Sequence, residues 1–224
     1  MAKDDPLQDS LLREIAEDMR RDQLLNLWKR YGSVLIAVLV GILLAVGGYQ
    51  IWKHFERQRL AEASMQFADA GARAATDPAL AATAFAALAS DGPAGYALLA
   101  RLQEAALLAG QGDRAGAMAA YDSAARSTDI AVYRDLATLM SVLVAMQAPI
   151  AELDTNDVQG KLSRLAADGN PWRYSARELQ ALLALKSGQN AEADRLLKQL
   201  VADPGVPPGV RERAEVLLAT SAAR

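Results

Sequence analysis

Cysteine is absent from the 224-residue chain, and histidine occurs once, at His54. Without thiols there is no disulfide, no thiolate nucleophile and no cysteine metal ligand. A metal centre needs three or four convergent ligands, and no His, Cys or carboxylate spacing here supplies them. Ser-His-Asp catalysis would have to run through His54, which lies just past Trp52 at the edge of an apolar segment and reads as an interfacial polar residue. Aromatic residues make up only 5% of the chain. β-Branched residues are also sparse after the first quarter, and no stretch alternates apolar with polar residues as a strand would. The charge is nearly balanced: Lys53 to Arg224 carries 18 Lys+Arg against 20 Asp+Glu, and nothing there suggests nucleic acid, whose binding needs clustered cations. The turns Gly110-Gln111-Gly112 and Gly188-Gln189-Asn190 lack the strand and lysine of a phosphate loop. Asp69, Glu104 and Glu178 are scattered along helical stretches, as on solvated faces. The expectation is a protein without catalytic residues, metal or cofactor.

Against these absences stands one long apolar run. Tyr31 to Trp52 is 22 residues without a charge. At 1.5 Å per residue such a helix reaches about 33 Å, enough to cross a hydrocarbon core of about 30 Å. Trp28, Tyr31, Tyr49 and Trp52 bracket the run, with Lys29, Arg30, Lys53 and Arg57 just outside, the pattern favoured at the two interfaces of a bilayer. A cleaved signal peptide would be shorter, with small residues at its end; Tyr49-Gln50-Ile51-Trp52-Lys53 is bulky, so the segment reads as a permanent anchor. Arg20, Arg21, Lys29 and Arg30 on one side against Lys53, Arg57 and Arg59 on the other give a small positive-inside excess, which favours a cytoplasmic N-terminus only slightly.

Within the run, Ser33, Ala37, Gly41, Ala45 and Gly48 fall on one helical stripe. Small residues let helices approach to backbone distance, where dispersion replaces the missing hydrophobic drive. Homodimerisation and docking on another membrane helix fit this stripe equally. Ahead of the run, Leu7, Leu11, Ile15 and Met19 recur at four-residue steps, predicting an amphipathic tail over 1–30. A membrane-surface helix and a solvated one both remain open, because seven acids in this tail oppose anionic lipid.

After the anchor the chain reads as helix throughout, rich in alanine and leucine. The membrane helix is expected to continue to about Ala75. Helices then follow at Pro78 to Asp91, Ala94 to Ala109, Arg114 to Arg126, Ile130 to Gln147, Thr155 to Ala167, Pro171 to Lys186, Asn190 to Ala202 and Gly209 to Ala222, with Asp77 and Asp113 as start signals. Within the second helix of successive pairs a pattern repeats: Ala81, Phe85 and Leu88; Ala117, Tyr121 and Ala124; Ala193, Leu197 and Leu200. The offsets of 36 and 76 residues are about one and two units of 38. A small residue, a larger one four later and an apolar one three later is the second-helix signature of a tetratricopeptide unit. The small residue permits close approach within a hairpin, and the larger one fills the gap to the next. The first-helix Trp-x2-Leu-Gly-x2-Tyr pattern is missing, and the third unit, 132–167, is degenerate. The predicted fold is therefore all-α: an N-terminal amphipathic segment and one transmembrane helix, followed over 53–224 by an α-solenoid of tetratricopeptide-like hairpins. In that register Gln66, Arg73, Leu99, Leu102, Met140, Gln147, Glu178 and Leu182 face a concave groove suited to a peptide. An open groove and one filled by the final helix are both compatible with the pattern.

This layout resembles the YfgM family of ancillary subunits of the bacterial Sec translocon. The most specific pieces are Arg30-Tyr31-Gly32 leading into a Gly-rich membrane helix that ends in Tyr49-Gln50-Ile51-Trp52, Gly169-Asn170-Pro171-Trp172 opening the last hairpin, and the run Ala181 to Gly188 across its turn. The chain departs from better-known members in its longer amphipathic tail and Ala-rich repeats. The resemblance implies a cytoplasmic N-terminus, a periplasmic helical domain in the bacterial inner membrane, and association with the SecYEG channel and a membrane-anchored, prolyl-isomerase-like periplasmic chaperone. A structural scaffold for envelope or division complexes, without client binding, is the alternative function.

Overall fold

No proline interrupts the chain between Pro6 and Pro78, and one helix, α1, runs over Pro6–Arg73. The computed structural model describes the backbone of residues 6–221 and the side chains of residues 29–34 and 36–221. The helical tail and the apolar run form one continuous helix. The glycines inside, Gly41, Gly47 and Gly48 among them, do not break the helix. The chain divides into two compact units, Met1–Arg59 and Leu60–Arg224.

The second unit begins with the last turns of α1 and continues as α2 (Pro78–Asp91), α3 (Ala94–Gly110), α4 (Arg114–Arg126), α5 (Ala131–Ala145), α6 (Thr155–Leu165), α7 (Arg173–Lys186), α8 (Asn190–Ala202) and α9 (Pro208–Ser221). There is no strand among the described residues. Start signals work through side-chain oxygens that accept otherwise orphaned backbone N–H groups. Asp77 accepts from Leu80 N–H at 2.9 Å, Asp113 from Gly116 N–H at 2.9 Å, and Asp154 from Asn156 and Asp157 N–H at 3.1 and 3.0 Å.

Two hairpin turns are built alike, 76 residues apart. In the α3–α4 turn, Gly112 N–H donates to the Ala109 carbonyl at 3.1 Å and Asp113 N–H to Leu108 at 2.9 Å. In the α7–α8 turn, Gly188 N–H donates to Leu185 at 3.1 Å and Gln189 N–H to Ala184 at 2.8 Å. Both are Schellman endings, in which the residue after the cap must be left-handed, and φ is +84° at Gly112 and +74° at Gly188. The repeat is thus visible in the backbone as well as in the side chains.

The third hairpin breaks the pattern. α5 stops at Ala145, short of the expected Gln147: the N–H groups of Gln147 and Ala148 turn to the Val144 and Ala145 carbonyls at 3.1 and 3.0 Å, ahead of Pro149, which has no N–H to continue the ladder. A 3-10 turn, Ile150–Glu152, then carries the chain to α6, which is only 11 residues long. α7 starts at Arg173 rather than Pro171. Asn170 accepts from Trp172 N–H at 2.8 Å and donates to Asp135 at 2.8 Å, while the Trp172 indole donates to the Val132 carbonyl at 2.9 Å. The Gly169-Asn170-Pro171-Trp172 segment is therefore a clasp between the α6–α7 connection and the start of α5.

The core is a chain of local clusters, each joining successive helices. Ala63 and Ala70 of α1 meet Phe85, Leu88 and Ala89 of α2 and Ala100 of α3, with Phe67 set edge-on to Phe85 at 5.2 Å between ring centroids. Ala105, Ala117, Tyr121 and Val144 join α3, α4 and α5, and Leu98, Ala124 and Ala137 extend that contact. Leu139, Leu162 and Leu179 centre the α5–α6–α7 cluster, and Leu197, Leu200 and Val210 the cluster of α7, α8 and α9. One buried hydroxyl, Ser141 Oγ, has no hydrogen-bond partner among the described residues.

Because an alanine at a left-handed position is strained, Gly112→Ala and Gly188→Ala are each expected to lower unfolding free energy by about 1 kcal/mol. Neither added Cβ meets another atom within 4 Å, so denaturant unfolding reads the backbone effect alone.

Candidate functional site

The apolar segment of α1 offers the first candidate surface. Its helix is long and apolar enough to cross a membrane, and none of its most apolar 18-residue window is buried within the structure. A core helix of a soluble protein would be covered, so the exposure itself bears on the reading. Ser33, Ala37, Gly41, Ala45 and Gly48 are all exposed. A Cβ added at Gly41 or Gly48 would meet nothing within 4 Å. Tyr31, Tyr49 and Trp52 are exposed, with the Arg30 guanidinium 5.7 Å from the Tyr31 ring centroid and the Lys53 ammonium 5.7 Å from that of Tyr49. Such cation–ring pairs suit side chains at headgroup depth. The Trp28 side chain, like those of Leu7, Leu11, Ile15 and Met19, lies outside the described residues. His54 is exposed beside Phe55.

In the helical domain, all nine residues of the repeated pattern are buried. Ala81, Ala117, Ala124, Ala193 and Leu197 have no exposed surface, and Phe85, Leu88, Tyr121 and Leu200 retain 6% or less. The eight residues assigned to a groove are less uniform. Gln66, Arg73, Leu99 and Gln147 are exposed, and Arg73 pairs with Asp69 on its own helix at 2.9 Å. Leu102 and Met140 are half-buried against the same α3–α4–α5 cluster, so part of their surface belongs to the core.

Glu178 and Leu182 come together with the final helix. Both line a recess of about 360 Å³ whose other wall is Glu212, Arg213, Val216 and Leu217 of α9. Glu178 is buried, and both its carboxylate oxygens accept from the Arg213 guanidinium, at 2.6 and 2.7 Å. These hydrogen bonds raise the Arg213 pKa above its ordinary value against the opposing effect of desolvation. α9 therefore packs on the α7 face that carries Glu178 and Leu182. Sequence spacing could not show a pair formed 35 residues apart.

Two clefts between hairpins are absent from the sequence reading. One, of about 430 Å³, lies between α2, α3 and α4 and holds Arg101 and Glu104; burial lifts the Glu104 carboxyl above its usual range, partly opposed by the Arg101 charge. The other, of about 700 Å³, lies between the α5–α6 connection, α6, α7 and α8. No group of three or more His, Cys, Asp or Glu residues is placed to hold a metal among the described residues.

A strand-free stack of helical hairpins, with alanine at the close contacts and glycine at the turns, defines a helical-repeat protein of the protein-interaction class. The Tetratricopeptide repeat-like domain model matches residues 26–194, and the chain belongs to that family. The match takes in the apolar segment as well as the first seven helices of the stack and the start of α8. No curated protein and no solved structure matches the chain.

Removing Arg213 would strand a buried carboxylate. Arg213→Ala should therefore cost about 1–2 kcal/mol, less than a fully buried pair because the guanidinium is partly solvated. Replacing both partners together (Glu178→Leu with Arg213→Leu) should cost less than Arg213→Ala alone, as thermal unfolding of the two variants beside the parent will show.

Proposed function

We propose that the protein is a membrane-anchored interaction subunit of the YfgM type, working beside the Sec translocon and periplasmic chaperones on secreted or membrane proteins. In this reading residues 1–30 are a cytoplasmic tail, 31–52 cross the bacterial inner membrane once, and 53–224 form a periplasmic partner-binding domain. The observation that carries it is the uncovered apolar helix joined in one chain to a tetratricopeptide repeat-like domain. An anchor confines the domain to the membrane surface, and a repeat array provides binding area without chemistry. The single imidazole and missing thiols agree with a role that is not enzymatic.

The stripe Ser33, Ala37, Gly41, Ala45 and Gly48 is the proposed docking face for a channel helix, with Tyr31, Tyr49 and Trp52 setting its depth. A photo-crosslinking residue at Gly41 or at the exposed Leu99 should trap a SecYEG subunit or its chaperone, and Ala37→Leu with Ala45→Leu should reduce the yield from Gly41 several-fold. Capture of only further copies of this chain would contradict the proposal. Alkaline phosphatase fused after Arg224 is expected to be active, and an inactive but stable fusion would place the domain in the cytoplasm.

A further inference from the structure

The two inter-hairpin clefts are equivalent positions of the repeat, and their linings differ in kind. The first is lined by Glu104, Leu108, Gly116 and Ala120; 76 residues on, the second is lined by Gln180, Ala184, Glu192 and Leu196. A carboxylate in one cleft is thus an amide in the other. Four side-chain amides line the second cleft in all: Asn156, Gln159, Gln180 and Gln189.

These amides are not consumed by the fold. Asp113 caps α4, whereas Gln189, at the matching position before α8, makes no capping bond. Among the described residues Gln159 and Gln180 each reach only Ser163 Oγ, at 3.4 and 3.5 Å, which leaves both carboxamide oxygens and a second N–H on each for a ligand. The charged members of the lining, Glu192 and Arg195, neutralise each other through two hydrogen bonds of 2.5 and 2.8 Å. Leu153, Leu183 and Leu196 supply apolar surface between the amides.

An uncharged cleft whose polar groups both donate and accept matches a ligand that alternates N–H and C=O, which is a polypeptide main chain. Nucleic acid and charged peptides find no unpaired partner there. A glycan would be expected to stack on a ring, and no aromatic residue lines the cleft. The volume of about 700 Å³ holds several residues. We propose that the cleft between the third and fourth hairpins binds an extended, uncharged segment of another polypeptide through its main chain, with small apolar side chains against the leucines. The site is separate from the concave groove, and the inference rests on the reading of this domain as a partner-binding array.

The test uses the full chain in detergent micelles and a fluorescein-labelled, end-capped decapeptide in which serine alternates with valine. Fluorescence anisotropy should show saturable binding. Gln159→Leu combined with Gln180→Leu should weaken it at least tenfold without lowering the thermal unfolding midpoint, and Leu80→Glu, at an exposed position of α2, should leave it unchanged. Absence of saturable binding, or equal affinity in the double variant, would overturn the assignment, as would displacement of the peptide by an N-acetylglucosamine trimer. Failure of the cleft would leave the wider reading of a partner-binding array intact. Crosslinking from Gly41 judges that wider reading separately.

Discussion

The helical domain depends on how closely the two helices of a hairpin can approach. At Ala81, Ala117 and Ala193 the side chain is fully covered, so the neighbouring helix lies against it with no room for a larger group. Four residues on, Phe85, Tyr121 and Leu197 fill the space that opens toward the next hairpin. Alternation of a close contact with a filled gap is what makes stacking directional, and no hairpin could bury its apolar face alone. The Schellman turns at Gly112 and Gly188 return the chain at the angle that this contact needs.

Where the constraint relaxes, the chain becomes specific. The third hairpin replaces the glycine turn with a 3-10 turn, and its connection forms one wall of the amide-lined cleft. Its irregularity is held by long-range bonds: Asn170 to Asp135, Trp172 to Val132, and Lys186 Nζ to the Met146 carbonyl at 2.8 Å. α9 places Arg213 on Glu178, so the recess between α7 and α9 carries a charged pair beside its apolar lining. The apolar part of α1 follows different physics. None of its most apolar 18-residue window is covered within the structure, and a bilayer or another apolar helix would suit that surface.

Much of this was legible in the residues because the deciding interactions are local. The buried pattern appears as a spacing, and the caps at Asp77 and Asp113 and the breaks at Gly92-Pro93 and Gly112 appear as single residues with fixed conformational demands. Helix ends at Gln147 and Pro171 were misplaced where a proline or an Asx turn overrode the pattern. The groove was the least legible part. Exposure of Leu102 and Met140 depends on packing between α3 and α5, and the environment of Glu178 on an arginine 35 residues away. The clefts arise between hairpins, where no single stretch of sequence carries a signal; only the change of Glu104 to Gln180 across two repeat lengths could have drawn notice.

If hairpins are held mainly by their neighbours, damage at one close contact should stay local. Hydrogen exchange on the full chain carrying Ala117→Leu measures this directly, since overpacking that contact costs about 1–3 kcal/mol. The account predicts faster exchange in α3, α4 and α5, with α7, α8 and α9 protected as in the parent. Uniform loss of protection through α9, or no loss in α4, would contradict it.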